Sequence, residues 1–134
     1  IGAGEGDDII NGGAGNDFLA GGGRNDVIDG GAGNDRINGG AGDDTMTGGE
    51  GADTFIYIEF FDGDSDVITD FTVDVDVLRL SGIQNAPNTG VQGKIDALNI
   101  TDVSGGALID YEGHEILLEG VNASELDRFD FIFL

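Results

Sequence analysis

The sequence contains no cysteine and no tryptophan, a single proline, a single histidine and only five lysine and arginine residues. Without cysteine, disulfides cannot staple the fold, and so few cations argue against binding to nucleic acid. No apolar run approaches the ~20 residues of a membrane-spanning helix, so we expect no membrane insertion. Acidic residues, by contrast, number 27 and give a formal net charge of −22, which favours cations as ligands.

Motifs for catalysis are missing as well. The chain has neither the H-E-x-x-H motif of zinc proteases nor the G-x-S-x-G motif of serine hydrolases. Pairs of acids that resemble a glycosidase dyad carry little weight in a chain this acidic. We therefore predict a non-catalytic accessory module with no catalytic residues and no organic cofactor. His114, beside a predicted hairpin turn, is expected at the surface.

A nine-residue period fills residues 3–56. Each repeat has a glycine-rich turn, an aspartate that closes it, and an apolar residue two positions later, which gives G-G-x-G-x-D-x-U-x with U apolar. The aspartates are Asp8, Asp17, Asp26, Asp35, Asp44 and Asp53. The residues at U are Ile10, Leu19, Ile28, Ile37, Met46 and Phe55.

Each repeat predicts half of a coil. Six residues turn, and three form a short strand whose middle side chain, U, faces inward. Two repeats complete a coil, so that repeat n stacks on repeat n+2 and the U residues divide between two sheets. The predicted fold class is all-β: a right-handed parallel β-roll, a solenoid related to the β-helix, over residues 1–56, with a C-terminal β-rich cap over residues 57–134.

The turns carry the oxygen ligands that Ca²⁺ prefers. This ion takes 6–8 oxygens at ~2.3–2.6 Å, which one turn cannot supply but two stacked turns can. Stacking pairs Asp8 with Asp26, Asp17 with Asp35, Asp26 with Asp44, and Asp35 with Asp53, which predicts about four Ca²⁺ sites and leaves further sites at the ends open. The other expected ligands are backbone carbonyls of Gly4, Gly6, Gly13, Gly15, Gly22, Arg24, Gly31, Gly33, Gly40, Gly42, Gly49 and Gly51.

Folding of the roll is expected to depend on the metal. Each half-coil buries one apolar side chain, a core too thin to be stable alone. Without cations the stacked carboxylates would repel one another, and bound calcium would supply the missing stability. Arg24 replaces the fourth-position glycine of its repeat, and a left-handed arginine costs ~1–2 kcal/mol.

Residues 57–134 read as short strands. We predict strands at 54–58, 67–71, 75–80, 97–103, 107–111 and 115–119, and one helical turn at 122–126. Two interpretations of Asp66 and Asp70 stay open at this point. They complete a calcium site at the end of the roll, or they belong to a solvated acidic loop.

The repeat is identified as the calcium-binding nonapeptide of the RTX (repeats-in-toxin) family. The stretches GADTFIY, SDVITDF and DVDVLRLSGI resemble the segment after the repeats in serralysin-type metalloproteases, and are similar to the R-modules of mannuronan C-5 epimerases. Asp74 stands where that pattern usually has glycine.

The resemblance implies a C-terminal module of a Gram-negative protein that leaves the cell unfolded through a type I exporter. Residues 130–134, DFIFL, fit the secretion signal. The module would then fold on extracellular Ca²⁺ and stabilise the upstream domain of its parent protein. Ile1 falls on a U position, so further repeats are expected to precede it.

An alternative is a module that binds an anionic polysaccharide such as alginate, as the likeness to R-modules implies. The net charge opposes this unless bound calcium or local basic residues bridge the two, and three or more basic residues on one face would favour it. The only candidates are Arg24, Arg36, Arg79, Lys94 and Arg128.

Overall fold

Residues 1–84 and 90–134 are described by the computed structural model, in which short strands alternate with turns from the first repeat onward. In the repeats the strands are β1 Gly2–Glu5, β2 Ile9–Asn11, β3 Phe18–Gly23, β4 Val27–Asp29, β5 Arg36–Ala41 and β6 Thr45–Thr47. Strands β2 to β6 each contain a residue at U, and the residues of positive φ in the repeats are glycines except for Arg24 after β3.

The rest of the chain adds more strands and one helix. The elements are β7 Thr54–Tyr57, β8 Ser65–Ile68, β9 Val77–Leu80, α1 Gly90–Ala97, β10 Ile100–Val103, β11 Gly106–Tyr111, β12 His114–Glu119 and β13 Phe131–Phe133. Two 3-10 turns span Ala123–Glu125 and Arg128–Asp130. The strand predicted at 97–103 is wrong in its first part, because α1 ends at Ala97 and β10 begins only at Ile100.

Strands β1 to β9 separate by odd and even number into two sheets. One sheet has six strands in the order β1-β3-β5-β7-β9-β13, and the other has seven in the order β10-β11-β12-β8-β6-β4-β2. Neighbouring strands of the repeats are parallel and 18 residues apart in register. The predicted stacking of repeat n on repeat n+2 is therefore confirmed, and with it the all-β fold class.

The U residues form one apolar ladder inside each sheet. Both ladders continue past the repeats, because the sheets themselves continue through β8, β12, β9 and β13. In the seven-stranded sheet the ladder runs Ile10, Ile28, Met46, Ile68, Leu118. In the six-stranded sheet it runs Leu19, Ile37, Phe55, Leu78, Phe131. All ten side chains are buried in one continuous core.

Beyond the last coil the core becomes broader than one side chain per half-coil. The antiparallel strands β10, β11 and β12 extend the seven-stranded sheet. Their inward residues pack with the loops around them, and the buried side chains include Ile83, Leu98, Ile109, Tyr111 and Ile116. Within the described ranges, no helix is long and apolar enough to cross a membrane.

Candidate metal sites

The repeat aspartates form two ladders, one along each edge of the roll. The backbone N–H of each aspartate donates to Oδ1 of the aspartate two repeats later. These bonds join Asp8 to Asp26 at 2.9 Å, Asp17 to Asp35 at 2.8 Å, Asp26 to Asp44 at 2.9 Å, and Asp35 to Asp53 at 2.9 Å. The structure thus brings together the four pairs that the stacking predicts.

The second carboxylate oxygen of these aspartates has no hydrogen-bond partner among the described residues. Oδ2 is buried and unpaired in Asp8, Asp17, Asp26, Asp35, Asp44 and Asp53. An isolated ionised carboxylate is costly to bury unless a cation or hydrogen-bond donors compensate it. The six repeated instances are therefore candidate positions for a cation.

The first glycine of each turn keeps a space open beside that oxygen. A Cβ placed on Gly30 would lie 2.6 Å from Asp35 Oδ2 and 2.6 Å from the carbonyl oxygen of Gly48 in the next coil. A Cβ on Gly12 would lie 3.0 Å from Asp17 Oδ2 and 2.6 Å from the carbonyl oxygen of Gly30. At both glycines a carboxylate oxygen and a carbonyl oxygen thus flank the position that a Cβ would fill, and such oxygens suit a hard cation. The sequence analysis did not single out this first glycine.

Comparisons with known proteins agree with this geometry. The family model described as "RTX calcium-binding nonapeptide repeat (4 copies)" matches residues 3–25 and 20–55. The solution structure of the AlgE6R3 subunit from the Azotobacter vinelandii mannuronan C5-epimerase is similar at 30% identity and TM-score 0.67, over 94% of this chain and 78% of that one. The chain belongs to the RTX calcium-binding repeat family.

A second solved relative supports the assignment. The AlgE6R2 subunit from the same epimerase matches at 30% identity and TM-score 0.68, over 95% of this chain and 88% of that one. No curated protein sequence gave a significant match. The likeness to these RTX modules extends over both the repeats and the segment that follows them.

The aspartate ladders of this RTX roll extend beyond its repeats. Asp66 Oδ1 accepts the N–H of Asp44 at 2.9 Å, and Asp76 Oδ1 accepts the N–H of Asp53 at 2.9 Å. Asp66 and Asp76 are both buried, so the solvated-loop interpretation of Asp66 is wrong. Sequence reasoning missed Asp76, although Asp76-Val77-Leu78 keeps the D-x-U pattern and carried the signal.

Asp70 has a different place from the ladder aspartates. Its two carboxylate oxygens accept the backbone N–H groups of Gly48 and Gly49, each at 2.8 Å. Asp70 therefore caps the last glycine-rich turn, in a position that a further coil would otherwise occupy. It also lies close enough to Asp53 to raise the pKa of that carboxyl.

Burial changes the acidity of several ladder carboxyls. Desolvation, with a smaller contribution from the neighbouring Asp66 and Asp26, raises the pKa of Asp44 from 3.8 to about 7. Desolvation, with Asp76 and Asp35 nearby, raises the pKa of Asp53 to about 6. These directions hold in the absence of metal, where each carboxylate faces other acids in a desolvated space. A cation bound at each ladder would offset this cost of desolvation and repulsion and lower the pKa values again.

His114 is not at the surface, so that prediction is wrong. The side chain is fully buried, and its Nε2 lies 2.8 Å from Asp66 Oδ2. Its Nδ1 accepts the backbone N–H of Phe61 at 3.0 Å. The ring packs edge-on against Tyr57, the last residue of β7, and Phe60, in the loop that follows. A lone histidine gave no sequence signal for this environment.

The predicted carbonyl ligands share one conformation. The second and fourth glycines of the turns all have positive φ, which exposes their carbonyls toward adjacent coils. Arg24 takes the same left-handed conformation, with φ of 73°. Its carbonyl oxygen lies against Gly42 of the next odd-numbered turn, so the arginine follows the backbone of its repeat at a conformational cost.

The fifth position of the repeat forms an outer ladder that sequence reasoning also missed. Asn16 Oδ1 accepts the N–H of Asn34 at 2.8 Å, and Asn34 Oδ1 accepts the N–H of Ala52 at 2.9 Å. Asp7 and Asn25 play the same part on the other edge. These bonds run opposite to those of the inner aspartates and hold successive turns in register.

Three further acids meet at the end of the cap. Ligand oxygens of Asp74, Asp127 and Asp130 lie within 4.8 Å of one another. Both oxygens of the buried Asp130 accept backbone N–H groups, from Asp74 and from Asp127, each at 2.9 Å. Asp74 has φ of 64°, so it adopts the conformation of the glycine that it replaces in the family pattern. The hydrogen bonds account for this cluster as part of the cap.

Proposed function

We propose that this module folds around Ca²⁺ held along its two aspartate ladders. The observation that carries the proposal is the set of six buried and unpaired Oδ2 atoms. The four predicted pairs would hold ions within the repeats. At the last coil the cap takes the place of a further repeat, with Asp66 near Asp44 on one edge and Asp70 and Asp76 near Asp53 on the other. Protein donors bind both oxygens of these three cap carboxylates, so we propose no ion beyond them.

In this proposal the carboxylates and the turn carbonyls are the ligands, and the ion supplies charge compensation. Glycine, and Arg24 in one repeat, lets the turn present its carbonyl oxygens. The ion crosslinks turns 18 residues apart, which is where the thin core gives least stability. We assign the chain no catalytic role, since the buried acids serve the roll and the chain has no nucleophile motif.

We further propose that the module lies at the C-terminus of a type I-secreted Gram-negative protein. It would pass the exporter unfolded, meet calcium outside the cell, fold, and stabilise an upstream domain. Support comes from the family and from the charge, because a metal-free roll of net charge −22 resists compaction. The solved relatives are subunits of a larger enzyme, which fits an accessory role.

Circular dichroism with chelator and then with added CaCl₂ tests the metal-coupled fold. We expect a coil spectrum for the roll without calcium and a cooperative gain of β-structure at about 10⁻⁴–10⁻³ M Ca²⁺. Equal MgCl₂ should act much more weakly, since Mg²⁺ requires a compact octahedral shell and loses water reluctantly. A roll fully formed in EDTA would contradict the proposal.

A second candidate function is binding of an anionic polysaccharide, and the likeness to subunits of a mannuronan C5-epimerase favours it. On the outer side of the six-stranded sheet, two lines of residues contain no acid. They are Phe18, Arg36, Thr54, Val77 and Ala20, Asn38, Ile56, Arg79, Ile132. The outer side of the seven-stranded sheet carries acids, among them Asp29 and Glu115. Arg36 and Arg79 lie in the acid-free lines, one basic residue short of the cluster of three that would favour this candidate by charge alone.

Titration of oligouronate into the calcium-loaded chain would test this candidate. Arg36→Gln and Arg79→Gln should each weaken binding and reduce its salt dependence, because each removes a positive charge from the outer side of the six-stranded sheet. Arg128→Gln is the matched control, since Arg128 lies against Phe129 in the cap. Equal effects of all three variants would show attraction to general charge and would contradict a site on this face.

A further inference from the structure

The last aspartate of each ladder has different hydrogen-bond partners from the aspartates of the repeats. In the six repeat aspartates Oδ1 faces a backbone N–H or solvent and Oδ2 is unpaired. In the last aspartate of each ladder both oxygens have protein donors. Asp66 Oδ2 is bound by His114 Nε2 at 2.8 Å, and Asp76 Oδ2 accepts the N–H of Thr72 at 2.8 Å.

The hydrogen bonds around His114 fix its tautomer. Since Nδ1 accepts the N–H of Phe61, the ring hydrogen lies on Nε2 and is donated to Asp66. One neutral N–H group therefore stands where the repeats leave an unpaired oxygen. The ring is fully buried, away from solvent.

The position of His114 in the sheet explains how it reaches the ladder. It begins β12, which pairs in parallel with β8, and Ile116 lies opposite Asp66 in that pairing. The strand that covers the last coil thus brings its own hydrogen-bond donor to the last carboxylate. Thr72 does the same for Asp76 from the turn that precedes β9.

We propose that His114 and the Thr72 N–H are terminators of the calcium ladders. They satisfy the final carboxylates by hydrogen bonds, so that the ion series stops at Asp44 and Asp53 and the cap keeps its structure without metal. This inference rests on the proposed calcium sites, but it makes a separate claim about residues that hold no ion.

The single histidine of the chain makes a direct test possible. Nitrogen-15 NMR of the imidazole in the full chain should show the Nε2–H tautomer, with a slowly exchanging Nε2–H, both with calcium and after its removal. A shift to the Nδ1–H tautomer on adding calcium would mean that an ion displaces the histidine from Asp66. That result would overturn the proposal even if the roll binds calcium as expected.

Amide hydrogen exchange of variants tests the role of the donor. In the calcium-free full chain, β8, β11 and β12 should be protected while β2 to β6 exchange freely. His114→Phe keeps a ring but removes the donor, and it should lower protection of β8 and β12 by about tenfold or more. His114→Gln retains an N–H donor and should lose less.

The outcomes separate this inference from the proposed function. If the wild-type roll gains no structure with calcium, the proposed function fails. If it gains structure while the cap is unfolded without calcium, or while His114→Phe and His114→Gln behave as the wild type does, the terminator role fails.

Discussion

The repeats and the cap bury carboxylates in two different ways. Each of the six ladder aspartates in the repeats leaves one oxygen unpaired. The buried acids of the described cap, Asp66, Asp76 and Asp130, have both oxygens bound by protein donors. The first arrangement needs a cation and the second does not. Under the proposed function, one chain combines a half whose order depends on calcium with a half whose buried carboxylates already have protein donors.

The same contrast holds for the apolar core. In the repeats each half-coil buries a single side chain, whereas the cap adds residues from β10 to β12 and the loops around them. Buried apolar area contributes ~25 cal/mol per Å², so the cap has the larger intrinsic stability per residue. The difference indicates that a repeat of nine residues is too short to be stable on its own. In the proposed function, bound ions and the neighbouring coils stabilise it.

The largest expected effect comes from removing the cap. Residues 1–56 alone should remain unfolded even at millimolar Ca²⁺, because deletion of β8 and β9 uncovers Met46 and Phe55 at the end of both apolar ladders. Circular dichroism of the fragment beside the full chain measures this. Cooperative gain of β-structure by the fragment would show that the repeats need no cap.

Within the roll, ladder aspartates should differ by their number of partners. Asp35 lies between Asp17 and Asp53, whereas Asp8 pairs only with Asp26. Asp35→Ala should lose about two ions or fail to fold, and Asp8→Ala should lose about one, since each ion needs oxygens from two stacked turns. Isothermal titration gives the stoichiometry. Equal losses would argue against ion binding between stacked turns.

Acid should replace calcium in part, most strongly at the last two repeats. The pKa of Asp44 is raised to about 7 and that of Asp53 to about 6, both from 3.8, because burial disfavours their charge. The metal-free folded state thus binds more protons than the unfolded chain, and its stability falls as pH rises from about 4 to about 7. Calcium-depleted protein should show more β-structure near pH 5 than at pH 8.

Calcium should reverse that trend, because protons compete with the ion for the same oxygens. With saturating Ca²⁺ the thermal midpoint should rise between pH 5 and pH 8. Asp44→Asn removes one of the shifted carboxyls and should flatten the pH dependence of the calcium-free protein. A calcium-free roll whose stability rises with pH would contradict the argument.

The smallest effect is expected at the two left-handed residues that replace glycine. Arg24→Gly in the roll and Asp74→Gly in the cap should each relieve about 1 kcal/mol of backbone strain. The roll variant should also bind calcium more tightly, since the strain is relieved only when the turn forms. The cap variant should change thermal stability without changing calcium affinity. A loss of stability in Arg24→Gly would mean that the side chain makes a stabilising contact.

Most of the roll could be predicted from the sequence because its period is local and strict. The spacing of nine fixes which U residues share a sheet and which aspartates are adjacent, and Ile10, Ile28 and Met46 lie in register as expected. Beyond the repeats the period breaks. Asp66 follows Asp44 by 22 residues and Asp76 follows Asp53 by 23, so spacing no longer identifies the ladder.

The remaining differences depend on tertiary contacts. His114 is buried because β12 crosses back to pair with β8, and the paired residues are fifty positions apart in sequence. Helix α1 has no buried residue and no acid in its first turn, so no apolar face indicated it in the sequence. The short strand β13 joins the six-stranded sheet beside β9, where Phe131 pairs with Leu78.

The equal coils of the roll also make it a mechanical element. Each coil contacts only its neighbours and adds 18 residues, so tension applied along the roll would release its coils one at a time. Each release would lengthen the chain by at most about 60 Å, from ~3.3–3.6 Å per extended residue. If ions crosslink the coils as proposed, the force at each step would follow the calcium concentration around the molecule.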